Sequence, residues 1–386
     1  MKWRSMDLLL FSFGTSLVFA EPPGYKGKMV LFGNLHAHSA LSDDVHKPMT
    51  EMSPELAFTF ASQNGIDFLA ISDHHKATDS PGRLFMTQSE YEDQLVDKAT
   101  DITANSDFIG IPAIEWGNTA SGNHLNVFGA QALPPDTILD ADYDDLYERA
   151  KDNAKFIQFN HPYSWKNKSN RNTDIGNYGI ELYNDTATFV EEVDPVVKTM
   201  SIITSVWKGH IGGPLRHATN SYIGLMNGFE ANRVYATEDD EMVVVCQVEY
   251  KGKRHWMGDT VIIDDDPSSV DVVVKVWQAT GSDGDSIDEG PYTITVYGDN
   301  DGIANNESAV WRVVPGVPAN ELRRIHITVD DGDYVFIKVT EENGKDNPEG
   351  DGEDEFDNET GDLVADGKRD DMNDSAWTTP IWFVED

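Results

Sequence analysis

The side chains of this chain best suited to chemistry are its histidines: nine of the eleven lie between His36 and His217, and several stand beside short β-rich runs. His36-Ala37-His38 comes directly after the apolar run closing at Leu35, Asp73-His74-His75 after the one closing at Ile71, Glu115 after Ile114, and His161 after Phe159, while His124 comes just before Leu125. On an extended backbone alternate side chains point the same way, so His36 and His38 can reach one metal ion. Imidazole nitrogens mixed with carboxylate oxygens suit Zn2+, Mn2+ or Fe2+. A single histidine is ordinarily structural, but polar groups at the same edge of successive strands need a common explanation, because each is costly to bury without partners. Asp43 differs, since it sits in a Ser42-Asp43-Asp44 turn that turn chemistry alone accounts for. His46, His255 and His326 lack such neighbours and read as surface or packing residues.

These groups need strands to carry them. Residues 29–35 read as a buried strand, 54–63 as a helix capped by Ser53 with Pro54 at its first position, and 66–71 as the next strand, entered through Gly65. Such a β-α-β unit implies parallel pairing. The pattern continues with strands at 108–114, 125–128 and 156–159 and a helix over 143–153, which predicts an α/β barrel or open α/β sheet with its chemistry at the strand ends. Beyond Asp240 the texture changes to alternating strands, at 242–248, 270–277, 292–297, 309–314, 322–329 and 334–339, divided by Asp/Gly turns. That texture predicts an antiparallel all-β C-terminal domain of sandwich type. Residues 341–374, rich in Asp, Glu, Gly and Asn, read as an exposed acidic loop, and 377–384 as a closing strand. The expected division is a signal peptide over 1–20, a metal-dependent hydrolase domain over 26–239 and the β-domain over 240–386.

Composition narrows the partners. Acidic residues number 68 against 29 basic, a formal charge of −39, so the surface repels nucleic acid and anionic membrane. Lys2 and Arg4, the apolar stretch from Leu8 to Phe19 and the small-residue pattern Val18-Phe19-Ala20 form an export signal, which predicts a periplasmic or extracellular product. No later stretch is an uncharged apolar span, so no membrane span is expected. Cys246 is the single cysteine, so no intrachain disulfide can form. Asp283-Gly284-Asp285 and Asp299-Asn300-Asp301-Gly302 read as turns rather than Ca2+ loops, because the twelve-residue pattern with its terminal Glu is absent. Phosphate-loop, dinucleotide and Gly-x-Ser-x-Gly patterns are missing as well.

Asn34-Leu35-His36-Ala37-His38-Ser39 with Ser42-Asp43, followed by Gly65-Ile66-Asp67-Phe68-Leu69-Ala70-Ile71-Ser72-Asp73-His74-His75, resembles the first two motifs of the PHP (polymerase and histidinol phosphatase) family. Ile114-Glu115 ahead of His124, and Asn160-His161-Pro162, are similar to its third to fifth motifs, and the likeness runs from Gly33 to Arg233. Residues 232–239, Trp256-Met257-Gly258 and Ala376–Trp382 look like a branch of the family with a C-terminal β-domain. The resemblance implies a distorted (β/α)7 barrel with two or three divalent metals. By it, His36 and His38 hold the first ion, Glu115 bridges the first and third, His124 and His161 complete the third, and Asp43, His74 and His217 serve the second. The family's closing Asp-x-His motif is Leu215-Arg216-His217 here, so the first ion lacks a carboxylate, which Asp239 or His210 could supply; His210 is also an alternative to His217 as the last ligand.

A centre of this kind predicts a metal-dependent phosphoesterase, a phosphatase or phosphodiesterase acting on a small or oligomeric phosphoester. Glu115 would be its central carboxylate, Asp73 or Asn160 would orient an imidazole, and Arg216, His210 or Lys208 would meet the substrate phosphate. Two alternatives stay open: a metal-dependent hydrolase of a non-phosphate substrate, and a secreted metal- or glycan-binding protein with a degenerate barrel.

Overall fold

The structure, a computed structural model, describes residues 24–25, 28–42, 48–63, 66–77, 86–118, 123–130, 132–133, 143–160, 179–180, 183–184, 187–188, 205–209, 218–237, 242–264, 267–278, 291–299, 308–342, 355–356, 363–364 and 375–385. The signal-peptide region and most of the 341–374 acidic stretch lie outside them.

The N-terminal half begins as the sequence suggests. Strand β1 (Lys28–Asn34) leads to helix α1 (Pro54–Gln63), where the Leu56 N–H donates to Ser53 Oγ at 3.2 Å, and then to β2 (Phe68–Ala77). Helix α2 (Asp97–Asn105) then leads to β3 (Ile109–Asn118). The pairs β1–β2 and β2–β3 are parallel, as helical crossovers require. At Gly33 the backbones come so close that a Cβ would overlap the Phe68 carbonyl oxygen and ring, so glycine sets the β1–β2 spacing.

Past β3 the barrel expectation fails. Only residues 119–122 separate β3 from β4 (Asn123–Phe128), too few for a crossover, and the two strands pair antiparallel. Helix α3 (Tyr143–Ala150) precedes β5 (Phe156–Asn160), which is antiparallel to β4 with Phe128 opposite Phe156, so 129–155 leaves and re-enters at one end of the sheet. On the other side of β1, β6 (Ser205–Gly209) pairs antiparallel. Helix α4 (Ala218–Glu230) and β7 (Val234–Thr237), antiparallel to β6, follow. Among the described residues strands take 53% and helices 22%, and the strands form a mixed half-barrel, not a (β/α)7 barrel.

Nor does the sheet stop at the expected domain boundary. The second half contains β8 (Met242–Tyr250), β9 (Lys253–Trp256), β10 (Thr260–Ile263), β11 (Ser268–Gln278), β12 (Tyr292–Gly298), β13 (Ala309–Val317), β14 (Leu322–Val329), β15 (Tyr334–Glu341), β16 (Ser375–Thr378) and β17 (Ile381–Glu385). Strand β7 pairs with β16, and β16 with β15, so one hydrogen-bonded sheet runs from the N-terminal strands into the C-terminal ones. A second sheet of order β9–β8–β11–β14 faces it across a core that includes Cys246, Val272, Ile294, Ile325 and Ile337. Burial pushes the Cys246 thiol up to about 12, so it stays protonated and unreactive. The predicted closing strand is two strands, because Thr379-Pro380 interrupts it: proline has no N–H to pair, and Thr379 instead donates through its backbone N–H and Oγ1 to the Val234 carbonyl. The half is not wholly antiparallel either, since β10 and β17 pair parallel. No helix among the described residues is long and apolar enough to cross a membrane.

Asp67 joins the first two strands from below. Its N–H donates to the Phe32 carbonyl at 2.8 Å and its Oδ2 accepts the Phe32 N–H at 2.8 Å. The residue as a whole is half-buried but its carboxyl is enclosed, and burial pushes the carboxyl up to about 6 against the lowering effect of the Phe32 hydrogen bond. A group whose folded value is raised favours the folded state below its unfolded value and loses that contribution as pH rises through the folded one. Asp67→Asn keeps the acceptor and removes the charge. Urea denaturation of both proteins is expected to give similar stabilities near pH 4 and a gap in favour of the variant that opens as pH rises through about 6. A constant difference over that range would show that burial of the ionised carboxyl is not its source.

Candidate metal centre

Strand register assembles the site. His74 on β2 stands opposite Glu115 on β3, Glu115 opposite Asn126 on β4, and Asn126 opposite Gln158 on β5. His124 and Asn160, paired with each other, lie two residues from Asn126 and Gln158. Neighbours in register share a face and so do residues two apart, so all six side chains stand on one side of the sheet. The same face continues downward as an apolar floor of Phe68, Ala70, Ile111, Ala113, Phe128 and Phe156, closed by Leu225 and Phe229 of α4. The other face carries Ile71, Ile114, Trp116, Leu125, Val127 and Phe159 against Phe58 of α1 and Ala99 of α2. Apolar residues on both faces give the near-continuous hydrophobic runs of these strands.

The sequence places Asp73-His74-His75 and Glu115 after their strands, whereas β2 and β3 extend through them. That difference decides their roles. Pleating sends His74 to the face of Glu115 and sends Asp73 and His75 to the opposite one. There Asp73 is buried and accepts the Ser39 N–H on Oδ1 and the Ser39 hydroxyl on Oδ2 at 2.7 Å. The His36–Ser39 loop has two more tethers: the Ser72 N–H donates to the Ala37 carbonyl at 2.8 Å, and the His36 N–H donates to Asn34 Oδ1 at 2.7 Å. Asp73 therefore fixes the loop that presents His36 and His38.

At the centre is Glu115, fully buried. Its Oε2 lies 2.8 Å from His74 Nδ1, 3.1 Å from His38 Nε2 and 3.5 Å from His36 Nε2; its Oε1 lies 2.9 Å from His124 Nδ1. Asn160 Nδ2 also donates to Oε1, at 3.1 Å. His36 Nε2 and His38 Nε2 are 3.2 Å apart. Two donor sets result, His36–His38–Glu115 and His74–Glu115–His124, each with its ligand atoms within 4.8 Å of one another, and Glu115 belongs to both. Among the described residues, His74 thus stands with His124 and Glu115. Asp43, His161, Arg216 and His217, with His210, Leu215 and Asp239, lie outside the described residues, as does the side chain of Lys208.

Sequence reasoning passed over Asn126 and Gln158 and gave Asn160 a different task, to orient an imidazole. Asn160 Nδ2 donates to the Glu115 carboxylate, and it also donates to Asn126 Oδ1 at 2.8 Å. A signal was present: single amides interrupt the apolar runs Leu125-Asn126-Val127 and Ile157-Gln158-Phe159, and a buried polar side chain inside a strand needs a partner.

The donor chemistry fits divalent transition ions. Neutral imidazoles have one lone-pair nitrogen each, the carboxylate can bridge, and all converge above an apolar floor. No family model matches the chain, and no curated protein does.

Because Glu115 is common to both sets, Glu115→Gln is expected to lower affinity at both positions by at least about tenfold, whereas His124→Ala lowers it at one. Metal stoichiometry after reconstitution with Mn2+, Zn2+ or Fe2+ measures this. Equal residual metal in the two variants would remove the shared role of Glu115.

Proposed function

We propose that the protein is an exported phosphoesterase that works with two divalent transition-metal ions from the group Mn2+, Zn2+ and Fe2+. The observation carrying this reading is the shared carboxylate: one buried Glu115 serves two adjoining histidine pairs. Divalent ions held by these residues would supply Lewis acidity, activating water and stabilising negative charge on a phosphoester's oxygens. The chain supplies the rest. His36 and His38 would hold one position from a loop fastened by Asp73, and His74 and His124 the other from the two strands that flank β3. The apolar floor beneath excludes water from one side. Motif-level likeness to the PHP family supports the reading through the same residues, without its barrel. In this proposal Arg216 meets the substrate phosphate, and His161 and His217 extend the ligand set.

Charge supports a phosphate-directed centre as well. With a net −39, the chain repels an anionic substrate everywhere except where bound cations concentrate positive charge.

The test is turnover of chromogenic phosphomonoesters and phosphodiesters beside carboxylic esters and amides, with each metal added in turn. Metal-dependent release from a phosphoester, reduced at least about a hundredfold by Glu115→Gln, is expected. Turnover confined to esters or amides would make the protein a metal-dependent hydrolase of another class. Full metal loading without turnover of any substrate would make it a binding protein.

A further inference from the structure

Three buried amides, Asn126, Gln158 and Asn160, lie against the centre. Their nitrogens do not ligate cations, and the oxygens of Asn126 and Asn160 accept hydrogen bonds from the Asn160 and Gln158 amides, so ligation does not explain that pair. We propose that Asn160 is a positioning residue for Glu115, acting as the central member of an amide relay anchored on the Leu35 carbonyl; the proposal rests on the metal-centre reading above.

The relay runs in one direction. Asn126 Nδ2 donates to the Leu35 carbonyl at 3.1 Å, Asn160 Nδ2 donates to Asn126 Oδ1 at 2.8 Å and to Glu115 Oε1 at 3.1 Å, and Gln158 Nε2 donates to Asn160 Oδ1 at 3.2 Å. An amide nitrogen has two protons, and those of Asn160 have one acceptor each. Turning this amide over would set its oxygen against Glu115 Oε1 and Asn126 Oδ1 and its nitrogen against the Gln158 donor. Its partners therefore admit one orientation, and that orientation determines which carboxylate oxygen the amide holds.

The consequence falls on Glu115. Oε1 is held between Asn160 and His124, which leaves Oε2 toward His36, His38 and His74. A carboxylate common to both donor sets would need a fixed orientation, since rotation about its last bond would disturb both sets at once. An amide donor suits the task because it directs the carboxylate without competing for a cation. The anchor matters too: Leu35 precedes His36, so the relay ties the carboxylate to the backbone that presents the first histidine pair.

Co2+ supplies a readout apart from turnover, since its visible absorption reports ligand geometry. Wild-type protein, Asn160→Ala and Asn160→Asp are titrated with Co2+, their bands recorded, and phosphoester kinetics measured alongside. Asn160→Ala is expected to bind Co2+ about 10- to 100-fold more weakly, with displaced bands and a lower kcat at unchanged KM. Asn160→Asp, which sets a second carboxylate against Oε1, is expected to shift the bands further. Should Asn160→Ala not fold, Gln158→Met removes the donor that fixes the amide at similar volume and is expected to give a smaller band shift in the same direction. Wild-type affinity and bands in a folded Asn160→Ala, or in Gln158→Met where that variant stands in, overturn the positioning role alone. Wild-type protein that takes up no Co2+ overturns the metal centre and this role together. A positioning role without phosphoester turnover, shown by Co2+ affinity and bands, leaves the relay standing and removes only the phosphoesterase reading.

Discussion

A buried negative charge organises this protein. An uncompensated carboxylate at the depth of Glu115 costs several kcal/mol, and the four imidazoles and one amide around it are the structure's response. They come from four stretches of chain: His36 and His38 from the loop after β1, then His74 from β2, His124 from β4 and Asn160 from β5. Removing any stretch leaves the carboxylate short of partners, so the charge makes the relative register of four strands matter far more than it would in an apolar core. Breaking a buried ionic cluster by removing one member costs more than the cluster contributes when intact, so such centres give specificity of arrangement.

Register is supplied by the apolar layers. Below the centre, Phe68, Ile111, Phe128 and Phe156 share the face of His74, Glu115 and His124, while Ile71, Ile114, Leu125 and Phe159 alternate onto the helical side. A one-residue slip of any strand would exchange the two sets, burying His74 or Glu115 under α1 and α2 and exposing isoleucine to the site. The Gly33–Phe68 contact and the Asp67 bridge to Phe32 oppose such a slip at β1–β2. The C-terminal half contributes to the same end. Through β7, β16 and β15 it continues the sheet that bears the site, and Thr379 fastens the crossing to Val234. The β-domain is therefore part of the frame around the candidate site.

Local pattern was legible where local forces decide. Helix 54–63 follows from Ser53, Pro54 and its periodicity, and strand 322–329 from alternation against a single core, and both have the expected bounds. The grouping of His36, His38, Glu115 and His124 was visible too, because polar residues recur beside apolar runs. Pairing direction was not legible: β1, β2 and β3 are parallel, and nothing in the composition of β4 announces that it turns back, although the brief 119–122 connection contains that information. The resemblance to a barrel family drew attention away from it. The extent of β2 and β3 was hidden because strand pairing continues through Asp73-His74-His75 and Glu115-Trp116-Gly117, where hydropathy falls. The amide relay escaped notice because Asn and Gln suggest chemistry only when register sets them side by side.

The choice of ligand type is the remaining point. A centre made mainly of aspartates would bind divalent cations firmly, but each carboxylate would cancel part of the charge it gathers. With imidazoles in the majority and Glu115 the shared carboxylate of both donor sets, two divalent cations would leave a clearly positive centre, and the low-dielectric floor beneath would strengthen its field. In a chain with a net charge of −39 this distinction is decisive. The long-range field opposes an anion's approach, so attraction must act at short range, where screening by salt has already weakened the distant acidic residues. In the proposed function, neutral ligands around a shared carboxylate would provide that short-range attraction, and the neutral amides of Asn126, Gln158 and Asn160 would order the carboxylate without diminishing it.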